Sequence, residues 1–193
     1  MSEDDKLEAY RQKRDFAKTI EPSGSGGRKA KGKPRYSIQK HRSKRLHYDL
    51  RLEVEGVLKS WAVPKGPSVD TREKRLAIPT EDHPLDYIDF EGRIPEGEYG
   101  AGTVIVWDIG TYENTTEVDG EEVPMAEALE KGHATVFLEG KKLVGGYALT
   151  RTGKGKNERW ILVKMKDDFA RLDRNILETE PDSALTGRSV DEV

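Results

Sequence analysis

Between Leu46 and Val54 apolar and polar residues alternate: Tyr48, Leu50 and Leu52 fall on one side, and His47, Asp49 and Arg51 on the other. Successive side chains of a strand point to opposite faces, so the pattern predicts a β-strand with one core face and one polar face. Glu55-Gly56 is a turn signal, and Val57–Val63 is the hairpin partner. Shorter strands are predicted over residues 36–39, 75–79 and 103–108, with 110–114 extending the last of these. Further strands follow over 134–138, 142–150 and 159–166, the first two joined by a Glu139-Gly140 turn. Met125–Lys131, preceded by Pro124 and closed by Gly132, is the one internal helix signal.

The ends read differently. Residues 3–18 predict a short amphipathic helix: Ser2 and Asp5 resemble a capping box, and Leu7, Tyr10, Arg14 and Ala17 line one stripe. That stripe is thin, so the helix is expected to dock on the body of the protein. From Glu21-Pro-Ser-Gly-Ser-Gly-Gly to Pro34 the composition is that of a mobile linker. The resulting division is 1–35 as helix and Gly/Ser-rich basic linker, 36–166 as the folded body, and 167–193 as a polar peripheral tail. So many short strands joined by Gly-rich turns predict a mainly β fold. The expected form is a closed or nearly closed antiparallel barrel of about eight strands, with one or two peripheral helices besides the N-terminal one.

Composition narrows the chemistry. With 193 residues and no cysteine there is no disulfide framework and no thiolate metal site, so any metal must be held by His, carboxylate, backbone or water. No apolar run is long enough to cross a bilayer, and the acidic start has no signal-peptide stretch behind it; a cytoplasmic protein without membrane contact is expected. The net charge of −3 hides an asymmetry: residues 1–51 carry 15 Lys+Arg against 7 Asp+Glu, and the excess of acid lies beyond them. Arg28 to Arg51 holds ten basic residues and one acid, Asp49. Such runs are commonly disordered arms, but this one leads into a His/Asp cluster, which favours an anionic polymer as substrate.

His41, His47 and Asp49 are that cluster. Two imidazoles and a carboxylate suit a divalent first-row metal with positions left open for water or substrate. Strand geometry places His47 and Asp49 side by side, whereas His41 is expected to approach from the preceding loop. An isolated H-x5-H-x-D is more often an ordinary surface. Arg51, on the same face, can grip two phosphate oxygens, or simply pair with Asp49 or Glu53. Glu81-Asp-His83-Pro-Leu-Asp-Tyr87 predicts a loop in which His83 and Tyr87 are proton donors to a phosphoryl group, or a capped turn and a rim aromatic. Lys65 and Arg75 are further cations near strand ends. Trp61, Trp107 and Trp160 lie in apolar strands and are read as core rather than as base-stacking platforms. Gly97-Glu-Tyr-Gly100-Ala-Gly102 is read as a tight turn, and His133 as structural.

Several of these segments together resemble a known family. They are Gln39-Lys-His41, Leu46-His47-Tyr-Asp49-Leu-Arg51-Leu, Leu58 to Pro67, Glu81 to Tyr87, and Phe90 to Gly102. All are similar to the 3′-phosphoesterase domain of bacterial DNA ligase D, and the similarity runs from about Tyr10 to about Lys166. The resemblance implies a β-barrel, Mn²⁺-dependent enzyme (other divalent first-row metals also suit) that heals DNA 3′ ends in non-homologous end joining. It would remove a 3′-terminal ribonucleoside from a primer-template, DNA or DNA–RNA, and then the 3′-phosphate. It implies His41, His47 and Asp49 as metal ligands and Arg51, His83 and Tyr87 around the scissile phosphate. Gln39, Lys65, Arg75 and Glu81 would support them. It also brings in Arg14, Asp15 and Glu21, which the residue pattern leaves in a helix and linker. A chain this short has no room for ligase or polymerase domains, so a stand-alone or excised monomer meeting them in trans is expected. Two other readings remain open on the residues alone: a non-haem iron oxygenase, and a nucleic-acid-binding module without catalysis.

Overall fold

The computed structural model describes residues 2–25 and 32–193. Eight antiparallel strands close a barrel in the order β1 (Arg35–Arg42), β2 (Leu46–Val54), β3 (Val57–Val63), β4 (Lys74–His83), β11 (Arg159–Lys164), β10 (Val144–Gly153), β9 (His133–Gly140) and β6 (Gly102–Asn114), which returns to β1. β5 (Gly92–Ile94) adds to the far edge of β6, and β7 (Glu117–Val118) and β8 (Glu121–Glu122) form a separate small hairpin. The helices are short: α1 (Glu3–Lys6), α2 (Glu8–Gln12), α3 (Met125–Lys131) and α4 (Ile176–Thr179). This is the mainly β, closed antiparallel barrel that the strand pattern predicts.

Turn chemistry fixes the register of the hairpin at the centre of the molecule. Glu55 (φ 47°) and Gly56 (φ 83°) form a two-residue turn with both central residues at positive φ, the geometry whose twist matches paired strands. Every partner across β2 and β3 follows from it, including Asp49 with Ala62 and Arg51 with Ser60. Inward residues of these strands, with Tyr36, Ile38, Trp61, Trp107 and Trp160, make the main core, in which Trp61 meets Trp160 edge-on at 5.7 Å. All three tryptophans are buried. A second, smaller apolar cluster of Tyr10, Leu58, Leu85, Tyr87, Ile88, Phe90, Ile94 and Val104 lies on the outer face of the barrel. It fastens the N-terminal segment and the chain after β4 onto that face.

Three expectations need correction. The capping box of Ser2 and Asp5 forms, but the helix does not run to residue 18: it breaks at Leu7 (φ −93°, ψ 0°) and stops at Gln12. Asp15 starts a turn, its carboxylate accepting from the Ala17 amide at 3.0 Å, a local bond that competes with helix. The expected mobile linker is packed in its first part, where Glu21 is buried and Gly24 lies against Pro84 and Leu7; residues 26–31, including Arg28, Lys29 and Lys31 of the basic run, lie outside the described residues. The strand expected to end at Gln39 continues to Arg42.

Beyond β11 the chain is laced onto the barrel. Trp107 Nε1 donates to the Glu180 carbonyl at 2.6 Å, the Ala184 amide to the Val106 carbonyl at 2.8 Å, and Ser183 Oγ to Glu91 at 2.6 Å. Ile176 of α4 is buried in the main core cluster.

Candidate active site and metal centre

The outward face of β1 and β2 carries the chemistry. β1 pairs with β2 so that His41 stands directly opposite His47, and Gln39 opposite Asp49. His41 is therefore a strand residue, not a loop residue, and its approach is set by backbone pairing. His41, His47 and Asp49 place their ligand atoms within 4.8 Å of one another, the one such His/Cys/Asp/Glu group among the described residues.

The outer nitrogens of both rings are engaged. His41 Nε2 lies 2.7 Å from the Gly100 carbonyl, and His47 Nδ1 lies 3.1 Å from the Arg45 carbonyl. A carbonyl accepts only from a protonated ring nitrogen, which assigns the lone pairs to His41 Nδ1 and His47 Nε2. These two atoms face Asp49 Oδ2 at 3.6 and 3.4 Å. Three electron-rich atoms aimed at one point require a cation there, either a proton or a metal. Carbonyl-anchored imidazoles beside a carboxylate are the usual outer-shell arrangement of metal sites, so the donor set fits a divalent ion. The charges agree. Burial raises the Asp49 carboxyl, but contacts with His41 and His47 and the Arg51 charge overcome this and hold it well below the carboxylate range. Burial lowers His47, and Asp49 outweighs it, leaving the imidazole above its usual value.

Arg51 stands beside this set with Nη2 3.8 Å from Asp49 Oδ2. Its Nε donates to Gln39 Oε1 at 2.5 Å and its Nη1 to Ser60 Oγ at 2.9 Å. Gln39 is itself fixed, because its amide donates to the carbonyls of Tyr87 (3.0 Å) and Phe90 (2.9 Å). The guanidinium is thus held at Nε and Nη1, and Nη2 is turned to the His41, His47 and Asp49 group.

A roof closes over these residues. Arg14, almost fully buried, pairs with Glu21 at 3.0 Å and Glu81 at 3.4 Å and lies 3.9 Å from the Tyr10 ring centroid. Tyr87 donates its hydroxyl proton to Glu21 at 2.7 Å; burial and then the Glu21 charge hold that phenol well above its ordinary value. His83 Nδ1 lies 2.9 Å from the Glu81 carbonyl, so the neutral ring keeps its lone pair on Nε2. Burial, reinforced by Arg51 and Arg14, pushes His83 well below the usual imidazole value. Arg14, Arg51, His83, Tyr87 and the three residues His41, His47 and Asp49 line one open cleft of about 910 Å³.

The profile of the DNA ligase D 3′-phosphoesterase domain matches residues 39–151, more than half of the chain. The chain belongs to this family. It is 54% identical over 188 residues to the multifunctional non-homologous end joining protein LigD of Pseudomonas aeruginosa, covering 95% of this chain and 22% of that protein. The corresponding protein of Mycolicibacterium smegmatis is 48% identical over 163 residues, covering 84% of this chain and 21% of the relative. That of Mycobacterium tuberculosis is 44% identical over 163 residues, covering 84% and 20%. The chain thus spans about a fifth of the length of these relatives.

Of the residues that family resemblance points to, the structure brings together Arg14, Glu21, Gln39, His41, His47, Asp49, Arg51, Glu81, His83 and Tyr87. The other three stand apart. Asp15 is exposed, shaping its own turn and pairing with Lys18 at 3.8 Å. Arg75 bonds the Lys65 carbonyl at 3.3 Å and Glu73 at 2.7 Å, and neither Lys65 nor Arg75 lines the cleft. Two members escaped the sequence. Ser60 orients Arg51, and the two-residue turn at Glu55-Gly56 already dictates that 60 pairs with 51. Gly100 anchors His41 through its carbonyl, for which the sequence offers no local signal. No described helix is long and apolar enough to cross a membrane.

Proposed function

We propose that this protein is a divalent-metal-dependent phosphoesterase of DNA 3′ ends, removing a 3′-terminal ribonucleoside and then the 3′-phosphate from primer-template strands during non-homologous end joining. The observation that carries this reading is the three-atom lone-pair convergence of His41, His47 and Asp49 beside an Arg51 whose free edge points at it. Family membership supplies the reaction class, and the names of the relatives supply the end-joining context.

A bound divalent ion, Mn²⁺ in this reading, would be held by His41 Nδ1, His47 Nε2 and Asp49 and would polarise a phosphoryl oxygen. Arg51 neutralises charge on the same phosphoryl group through Nη2, and its partners Gln39 and Ser60 remove the freedom to swing away. His83, kept neutral by burial and by the Arg51 and Arg14 charges and bearing its lone pair at Nε2, accepts a hydrogen bond from the attacking water and orients it. Tyr87, its proton committed to Glu21, positions that carboxylate and the Arg14 guanidinium rather than acting as the acid.

The test uses a 5′-labelled primer ending in one ribonucleotide, annealed to a template and incubated with Mn²⁺, with chelator and His47→Ala as controls. A shortened 3′-phosphate strand followed by a 3′-hydroxyl strand is the expected result. Product that survives both controls, or an untouched primer with an untouched 3′-phosphate end, refutes the assignment.

A further inference from the structure

The cleft has an aromatic residue that the chemistry above does not use. Tyr99 lines it with 47% of its surface exposed, while the other tyrosine on the cleft, Tyr87, is 2% exposed. Part of this phenol ring is thus left open to solvent at the mouth of a charged cleft.

The backbone at Tyr99 is fixed by a turn. Its turn is closed by the Glu98 amide on the Pro95 carbonyl at 3.2 Å and the Ala101 amide on the Glu98 carbonyl at 3.1 Å. The next residue, Gly100, donates no side chain but gives its carbonyl to His41 Nε2 at 2.7 Å. The backbone that carries the ring is thus one residue from a direct bond to the His41 imidazole of the site. Lys13 Nζ at 4.9 Å and Arg14 Cζ at 5.3 Å lie over the ring, so cations engage part of its face and make its surroundings electropositive. Partly exposed aromatic rings beside cations are the parts from which single-strand binding sites are made.

We propose that Tyr99 is the platform on which the terminal nucleobase of the bound strand stacks while its 3′ phosphoryl group lies at Arg51. This rests on the 3′-end reading above and adds to it a base subsite. Stacking tolerates every base, so the subsite selects for the presence of a terminal base rather than for its identity, with purines ahead of pyrimidines.

The experiment is a metal-free fluorescence titration with a primer-template whose unpaired 3′-terminal residue is 2-aminopurine carrying a 3′-phosphate. Wild type and Tyr99→Phe are expected to quench the probe on binding. Tyr99→Ala is expected to abolish the quench and weaken affinity about tenfold, since a lost base–aromatic stack has that order of effect. A probe placed several nucleotides upstream should not respond to the substitution. Absence of quenching in wild type, or unchanged quenching and affinity in Tyr99→Ala, overturns the platform. Wild type that quenches the probe yet leaves every 3′ end unprocessed with Mn²⁺ would instead refute the proposed activity and leave the base subsite standing.

Discussion

Gln39 holds Arg51 by a 2.5 Å hydrogen bond to Nε, and holds it in one orientation because both Gln39 amide protons are taken by the carbonyls of Tyr87 and Phe90. Replacing Gln39 by Ala frees the guanidinium and takes the side-chain donor from the Phe90 carbonyl, while the Tyr87 carbonyl keeps the Phe90 amide at 3.1 Å. A buried carbonyl left without its donor costs about 1–3 kcal/mol. Gln39→Ala is expected to lower kcat by roughly 10- to 100-fold with a smaller change in KM, since positioning rather than binding is lost. Steady-state kinetics on a 3′-phosphate primer decides it; a pure KM effect would mean Arg51 does not need its partner.

Tyr87→Phe separates two roles. A general acid contributes about 10²- to 10⁴-fold. A positioning hydroxyl bonded to Glu21 is worth less, and Arg14 continues to satisfy that carboxylate. The expected loss in kcat is therefore below about tenfold. A loss of 10³-fold would return the proton-donor role to Tyr87.

His83 gives stability a pH dependence of known sign. Its folded value is depressed by burial and by Arg51 and Arg14, so the folded state prefers the neutral ring. Stability from this group is complete above the unfolded value of about 6.5 and falls as pH drops below it, with a slope of at most about 1.4 kcal/mol per pH unit. Urea unfolding at pH 7.5 and 5.5 should show the wild type losing more stability than His83→Gln. Equal losses would mean His83 does not bury a neutral ring.

Metal binding should register without any substrate. A ligand at a hundredfold excess over its Kd stabilises by about 2.7 kcal/mol, or roughly 5–10 °C in Tm for a chain of this size. Mn²⁺ is expected to raise Tm of the wild type and not of Asp49→Ala or His41→Ala. A rise that persists in those variants would place the metal elsewhere.

Gly102 joins β6 to β1 beside the site. At φ 141° it is in a region L side chains avoid, and a Cβ there would collide with the Arg42 carbonyl oxygen. Gly102→Ala is expected to destabilise the protein by about 2 kcal/mol or more. A wild-type urea midpoint would show that β1 can yield.

The barrel and half the site are legible in the chain because they are local. Alternation along Leu46–Val54 separates His47, Asp49 and Arg51 from the core residues between them, and a hairpin turn sets their partners. β1 hides its last residues because Gln39-Lys40-His41-Arg42 contains no apolar side to mark a strand, so His41 reads as loop. The roof is illegible for another reason. Arg14 meets Glu81 across 67 positions of sequence, and Tyr87 meets Glu21 across 66. No periodicity or spacing announces such pairs, and family resemblance alone pointed to Arg14 and Glu21.

β2 serves two masters with alternate residues: Tyr48, Leu50 and Leu52 face inward, and His47, Asp49 and Arg51 face outward. A slip of one residue against its neighbours would turn the carboxylate and guanidinium into the barrel and the leucines out to water. Such a slip could not produce a sound but idle molecule, because the error that empties the cleft also unmakes the core. A population that survives folding has, by the same strand, already been proofread for the geometry of its cleft.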